Sequence, residues 1–396
     1  MGHPLAAVDL ARHYSRFRVG ERVLLTGHSH QAWPDVSLEA QQRAWLDAAE
    51  LVDGKWHRAA EQAALVQAGY RRLLNDRAGE IALGQNTHEL VVRLVSALPL
   101  RARPRLVTTD GEFHTIRRQL DRLREEGFDV VKIAARPADT LADRVAAAVD
   151  DRTACVLVSS VLYETAEIVP GLDQVARACE LRGATLLVDA YHHLNVVPFD
   201  IDALGLSRAF VTGGGYKYCQ LGEGNCFLRV PEGCELRPVL TGWFSEFAAL
   251  ERPARDGRVA YGAGAARFAG ATYDPTSHYR AAAVFAFHVE QALTPARLRE
   301  ISCHQVGLLK QGFEALDIAP RVASVERMPD ARRGGFLAIR CARARELSEA
   351  LRARGVLTDF RANVLRLGPA PYVTDDQLRQ AVDAIGEICR GYRVPK

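Results

Sequence analysis

Between residues 105 and 230 the chain repeats one unit: a short apolar run, then a stretch of helical length and periodicity. Strands are expected at 105–109, 130–133, 154–159, 185–189, 209–212 and 225–230, with helices over 113–126, 141–149 and 171–182. Strands that alternate with helices of this length predict a mainly parallel sheet covered on both faces. Strands buried on both sides read as near-continuous apolar runs, as ACVLVS and TLLVD do. The expected class is therefore α/β.

The flanks read differently. A helix is expected over 37–74, after a histidine-rich loop. Residues 236–274 are rich in Gly, Arg and aromatics and have little periodicity, and a long helix is expected at 278–293. The tail then shows a strand (335–341), a helix (344–354), a strand (364–367) and a helix (375–390), the pattern of a smaller α+β domain. The expected units are an amino-terminal segment at 1–45, a large domain at 46–277 and a small domain at 278–396.

Composition narrows the function classes. A net charge of +3 with both signs interspersed offers no basic block for nucleic acid. No apolar run approaches the ~20 residues that span a bilayer. The amino-terminal stretch lacks a signal-peptide core, and Ala6 breaks the myristoylation pattern after Met1-Gly2. The 8 cysteines form no C-x-x-C pair and the histidines no H-E-x-x-H. Reduced thiols in a cytoplasmic protein without a metal are the expectation.

Ligands of open parallel sheets sit beyond the carboxyl ends of the strands. Those ends carry Asp110, Ser159, Ser160, Asp189 and the loop VTGGGYKYCQLGEGN with Lys217. An acid and a lysine at strand ends match what pyridoxal phosphate (PLP) requires. The amine bonds to the aldehyde, and the carboxylate keeps the pyridine nitrogen protonated. Desolvation beside glycines and aromatics would lower the lysine's pKa. The glycines around Lys217 are read as backbone clearance for the cofactor. Asn86 and Thr87, at a helix start, suit a phosphate. Phe113 or His114 would cover the ring. Arg366, inside an apolar strand, needs a partner; a substrate carboxylate or an internal pair with Asp359 would serve. The order of phosphate loop, aromatic, aspartate, lysine and arginine is the layout of fold-type I PLP enzymes.

The residues further resemble the kynureninases, within the class V aminotransferase-like group. LTGHS, DAYHH, YKY, GWF, RFAGATYDPTS and DFRANVLRLGPAPY are similar to that family's motifs over most of the chain. The resemblance implies that Lys217 holds PLP, that Tyr216 contacts the phosphate and moves protons, and that Asp189 and His192 meet the ring side. It implies that Trp243 donates to the phosphate, and that Thr272 reaches the phosphate of a neighbouring subunit, hence a homodimer with shared sites. It places His28 and Ser29 near the substrate, with Arg366 on its α-carboxylate. The implied reaction is hydrolysis of the Cβ–Cγ bond of kynurenine or 3-hydroxykynurenine to alanine and an anthranilate. Departures lie on the substrate side. FHTI stands where the family has Phe-Pro-Thr-Asp, and His28, His30, His88, His114, His192 and His193 gather at site positions. Another PLP reaction on an amino acid (transamination, β-elimination or another C–C cleavage) is the alternative. A desulfurase needs a mobile cysteine, whereas Cys341 reads as the end of a buried strand. A catalytically silent PLP-fold protein would have no use for Lys217.

Overall fold

The computed structural model describes residues 7–250 and 257–392. Residues 1–6 of the amino-terminal stretch and 251–256 of the weakly periodic stretch lie outside the described residues.

A seven-stranded sheet organises the chain. Its order is Glu80–Gly84, Cys226–Val230, Phe210–Gly214, Thr185–Asp189, Thr153–Ser159, Arg105–Thr109, Asp129–Ile133. The last five are mutually parallel, and Cys226–Val230 runs antiparallel between Phe210–Gly214 and Glu80–Gly84. Alternate residues feed the two faces. Val156, Val158, Val188 and Val211 pack into one apolar cluster with Leu172, Val175 and Phe285. Leu157, Leu187, Phe210 and Leu228 pack into another with Leu90, Leu94, Ile116 and Leu120. The expected α/β architecture is what the chain adopts, and the parallel strands all end at one edge: Thr109, Ser159, Asp189 and Gly214.

A second, antiparallel sheet runs Asp359–Arg361, Val364–Leu367, Leu337–Arg340, Ser324–Val325. The amino-terminal pair Val23–Leu24 lies parallel to Val356–Leu357, and Thr26 bridges to Gly368. This pairing sets the turn at Gly27, His28 and Ser29 beside the strand that carries Arg366. Leu10, Tyr14, Val23 and Leu25 share a core with Phe313, Leu337, Leu367 and Ile385.

Three of the longer elements differ from the sequence expectation, and the short strands Val23–Leu24, Ser324–Val325, Val356–Leu357 and Asp359–Arg361 were not expected either. The helix expected over 37–74 is two, Val36–Leu51 and Lys55–Leu73, because Val52 takes φ 52° and a short turn at Val52–Gly54 redirects the chain. A left-handed β-branched residue costs local energy, which packing of both helices against Thr276–Glu290 offsets. The helix Pro295–Ala315 was not expected, although Thr294 caps it and Pro295 opens it, a legible start signal. The strand Glu80–Gly84 was also missed; it is a short edge strand with only Ile81 and Ala82 fully buried.

Candidate active site

Lys217 follows the strand Phe210–Gly214 and is 4% exposed. It projects into a small cavity lined by Thr87, Phe113, Ser159, Asp189, Tyr216 and neighbours. Its Nζ lies 3.1 Å from His192 Nε2 and 4.3 Å, 5.1 Å and 5.4 Å from the ring centroids of Tyr191, Phe113 and Tyr216. Burial lowers its pKa to about 7; Asp189 opposes the shift and Arg366 adds to it. The amine is thus poised to act as a nucleophile and base near neutrality. A larger cleft of about 1310 Å³, lined by residues including Gln67, Glu89, Arg93 and Tyr273, does not contain Lys217 or Asp189.

The glycines before Lys217 pack closely against the protein's own side chains. A Cβ on Gly214 would lie 2.4 Å from Tyr191 Oη and 2.5 Å from Cys226 Sγ, and one on Gly215 would lie 2.6 Å from Leu221 Cβ. They make room for the protein's own side chains, of which Tyr191 lines the cavity.

Asp189 ends its strand, and its Oδ1 accepts a hydrogen bond from Tyr191 N–H at 2.8 Å. Burial raises its pKa, against the pull of that bond and of Lys217. Asn86, at φ −154° and ψ 160°, caps the helix Thr87–Ala97 by accepting from Glu89 N–H at 2.9 Å. Its side chain is therefore spent on the cap, while Thr87 reaches the cavity. An Asn86→Ala variant is expected to lose about 1 kcal/mol of stability in urea unfolding, the usual worth of such a cap.

Phe113 faces the cavity and His114 does not. His114 lines an outer groove with His88, Arg117 and Arg118, and its Nδ1 lies 3.3 Å from Arg117 Nη2. Ile116, where a carboxylate stands in the resembling family, packs into the apolar core. His193 turns away, with Nε2 at 3.2 Å from Pro198 O. His30 stacks on Tyr216 at 4.9 Å and 19°, and Ser29 Oγ sits 3.0 Å from its Nδ1. Burial and the nearby cations hold both His28 and His192 well below the ordinary imidazole pKa, so both are neutral.

Arg366 is 2% exposed. Its Nη2 donates to Asp359 Oδ2 at 2.7 Å and its Nη1 to Tyr163 O at 2.7 Å. Arg361 Nη1 holds the other oxygen of Asp359 at 2.8 Å. The internal pair expected as one of two options is thus formed. It leaves Arg366 Nε, both ring nitrogens of His28 and Nδ1 of His192 buried without a partner. Buried polar groups are rarely left so, and these lie around the Phe336 ring, which stands 4.6 Å from His28, 6.1 Å from His192 and 5.6 Å from the Arg366 guanidinium. Trp243 is 46% exposed and, like the exposed Thr272, does not line the cavity. No cysteine lines it either, and Cys341 is buried in the small-sheet core.

The sequence reading missed Tyr163, Thr115, Val161, Tyr191 and Glu112. Tyr191 stood inside DAYHH and was legible as a neighbour of Asp189. Glu112 carried no signal, because an acid before a helix usually faces solvent. Here it is 1% exposed. It accepts from Thr109 Oγ1 at 2.6 Å and from Ser159 N–H at 3.2 Å, and pairs with Ser159 Oγ at 2.5 Å.

The residues present fit PLP. An amine titrating near neutrality, a strand-end carboxylate, an aromatic face and Thr87 at a helix start converge on one cavity, with imidazole nitrogens of His28 and His192 that have no hydrogen-bond partner among the described residues. Comparisons with known proteins agree. Residues 298–385 match the family model described as kynureninase C-terminal domain. The chain is 24% identical over 334 residues to an uncharacterized aminotransferase, YcbU, of Bacillus subtilis, covering 83% of this chain and 85% of that one. It is 28% identical over 286 residues to a kynureninase of Bacillus cereus, covering 68% of this chain and 63% of the relative's length. In fold it is similar to the apo cysteine desulfurase of Thermococcus onnurineus, with TM-score 0.81 and 15% identity over 99% of this chain and 100% of that one. The matched segment, which contains Arg366, and the shared fold support a divergent, kynureninase-like protein with the scaffold and cofactor of class V PLP-dependent enzymes.

Proposed function

We propose that this protein is a hydrolase that cleaves the Cβ–Cγ bond of kynurenine or a closely related amino acid, giving alanine and an aryl acid. The observation that carries the reading is Lys217, a buried amine brought to about pKa 7 and set between Asp189, His192 and the Phe113 ring. PLP, when bound, supplies the electron sink that stabilises a carbanion at the substrate's Cα.

The chain's own groups do the rest. Lys217 holds PLP and, once displaced by the substrate amine, removes the proton from Cα. Asp189 pairs with the pyridine nitrogen. Thr87 and the first amides of its helix take the phosphate, helped by the helix dipole. Arg366 engages the α-carboxylate with the guanidinium face that Asp359 leaves free, and this orients the Cα–H bond; such orientation is a large part of many rate accelerations. Tyr216, pushed up to about 12 chiefly by burial, keeps its proton near neutrality and serves as a donor. His28 and Ser29 approach from the amino-terminal turn. We further propose a cytoplasmic homodimer in which Trp243 and Thr272, exposed here, complete the partner's phosphate seat.

A second reading keeps the same scaffold with a different PLP reaction on an amino acid, and the aminotransferase-described relative, aligned over 85% of its length, favours it. One experiment separates the two. The PLP-loaded protein incubated with kynurenine should yield anthranilate fluorescence and an equal amount of alanine. A keto acid without anthranilate would replace the first reading by the second.

A further inference from the structure

Glu112 has no part in the chemistry above, yet it lies against the cavity wall. It reaches back from the turn before the helix His114–Glu125 and joins two strand ends, Thr109 and Ser159. Ser159 lines the Lys217 cavity and stands in register with Asp189 on the neighbouring strand. Glu112 therefore touches the wall of the Lys217 cavity through the hydroxyl and the backbone N–H of Ser159.

The hydrogen bonds fix where a proton on Glu112 can sit. Oε1 accepts from both Thr109 Oγ1, at 2.6 Å, and Ser159 N–H, at 3.2 Å. Thr109 Oγ1 in turn accepts from Gly111 N–H at 3.1 Å. Oε1 is thus filled by donors, and a carboxyl proton belongs on Oε2, 2.5 Å from Ser159 Oγ. A serine hydroxyl has one hydrogen to give. With Glu112 ionised, that hydrogen goes to Oε2. With Glu112 protonated, Oε2–H donates to Ser159 Oγ, and the serine hydrogen must point elsewhere.

We propose that Glu112 is a positioning residue that sets the polarity of Ser159 towards the cofactor: acceptor-only when the carboxylate is ionised, donor when it is protonated. The inference rests on the PLP reading of the cavity. The groups around Glu112 place the change near neutral pH. Asp189 faces it from the next strand, Lys217 lies beyond Asp189, and among the described residues no lysine, arginine or histidine comes within 4.0 Å of it. Burial and the Asp189 charge raise its carboxyl to about 7, against the hydrogen bonds from Ser159 and Thr109.

The test uses full-length protein carrying Lys217→Ala, so that the lysine's own titration is removed and PLP binds without a covalent bond. The PLP dissociation constant is followed across pH with Glu112 intact and with Glu112→Gln, whose amide donates to Ser159 as the protonated acid does. The two should converge near pH 6 and separate about tenfold near pH 8.5, a factor that corresponds to roughly 1.4 kcal/mol. Adding Ser159→Ala should erase the separation, and thermal melts at each pH confirm that each variant is folded. A mere tie between two strands would lower the melting temperature and leave the binding profiles parallel. Parallel profiles, or a separation that survives Ser159→Ala, overturn the inference alone. Failure of the parent protein to take up PLP overturns the cofactor reading and this inference with it.

Discussion

Lys217→Ala is expected to abolish covalent attachment of PLP and to change the pH dependence of the apoprotein's stability. The amine titrates near 7 in the folded chain and near the ordinary lysine value of 10.5 when unfolded. Between these values the unfolded state binds more protons, so stability rises with pH across that window. Below about pH 7 the folded parent must hold a buried ammonium or bury less well, a penalty on the order of a few kcal/mol. The alanine variant escapes it but loses packing around the side-chain stem. The variant should therefore match or exceed the parent in urea unfolding near pH 6, and fall below it near pH 10. Parallel curves from pH 6 to 10 would mean that Lys217 is not buried as a neutral amine. In the loaded protein, loss of the base should cost on the order of 10²–10⁴ in turnover on top of the lost attachment. Glu112 has the opposite sign. Its folded pKa of about 7 lies above the ordinary glutamate value of 4.5, so its contribution to stability falls as pH rises between the two.

Arg366→Ala should separate substrate binding from cofactor binding. The variant removes a guanidinium that donates to Asp359 and to the carbonyl of Tyr163, a residue that lines the cavity. Asp359 keeps Arg361, so its charge is not left alone. The expected loss of stability is about 2–3 kcal/mol, below the range for a buried charge stripped of its only partner. Affinity of the loaded protein for amino acids should fall at least about tenfold, the scale of one charged hydrogen bond, with PLP affinity little changed. Arg366→Lys keeps the charge and loses the planar fork, so it should recover stability more than amino-acid affinity. Equal losses of PLP and amino-acid binding would remove Arg366 from the carboxylate role and leave it a brace for Asp359.

The parts of the fold that were legible were those where local pattern and global position agree. ACVLVS and TLLVD are apolar on both sides because their strands are covered on both faces, so run length alone marks them. The break at Val52 was not legible, since a left-handed valine follows from the packing of two helices on a third and not from the residues around it. Helix Pro295–Ala315 was legible in its Thr-Pro start and was overlooked.

Within the site, the lysine, the aspartate, Thr87 and the strand arginine could be read from the chain, because each chemistry needs a particular residue type at a particular kind of element end. Which histidines matter could not. His192 lines the cavity, His30 stacks on Tyr216 in its wall and His28 is buried against Phe336, whereas His88 and His114 line an outer groove and His193 turns to Pro198, and nothing in their local sequence separates them. Only tertiary structure decides this, because a side chain's direction at a loop or helix start depends on what packs behind it: Phe336 and Gly368 behind His28, Phe199 behind His193. The same holds for the glycines before Lys217, whose missing side chains admit Tyr191 and Leu221, and for Glu112, which only the meeting of two strand ends turns from a surface acid into a buried one. Residue chemistry and chain order thus determine the scaffold and set a lysine and an aspartate at its strand ends. The tertiary packing determines the protonation states and hydrogen-bond directions around it, since desolvation and neighbouring charge act through space and not along the chain.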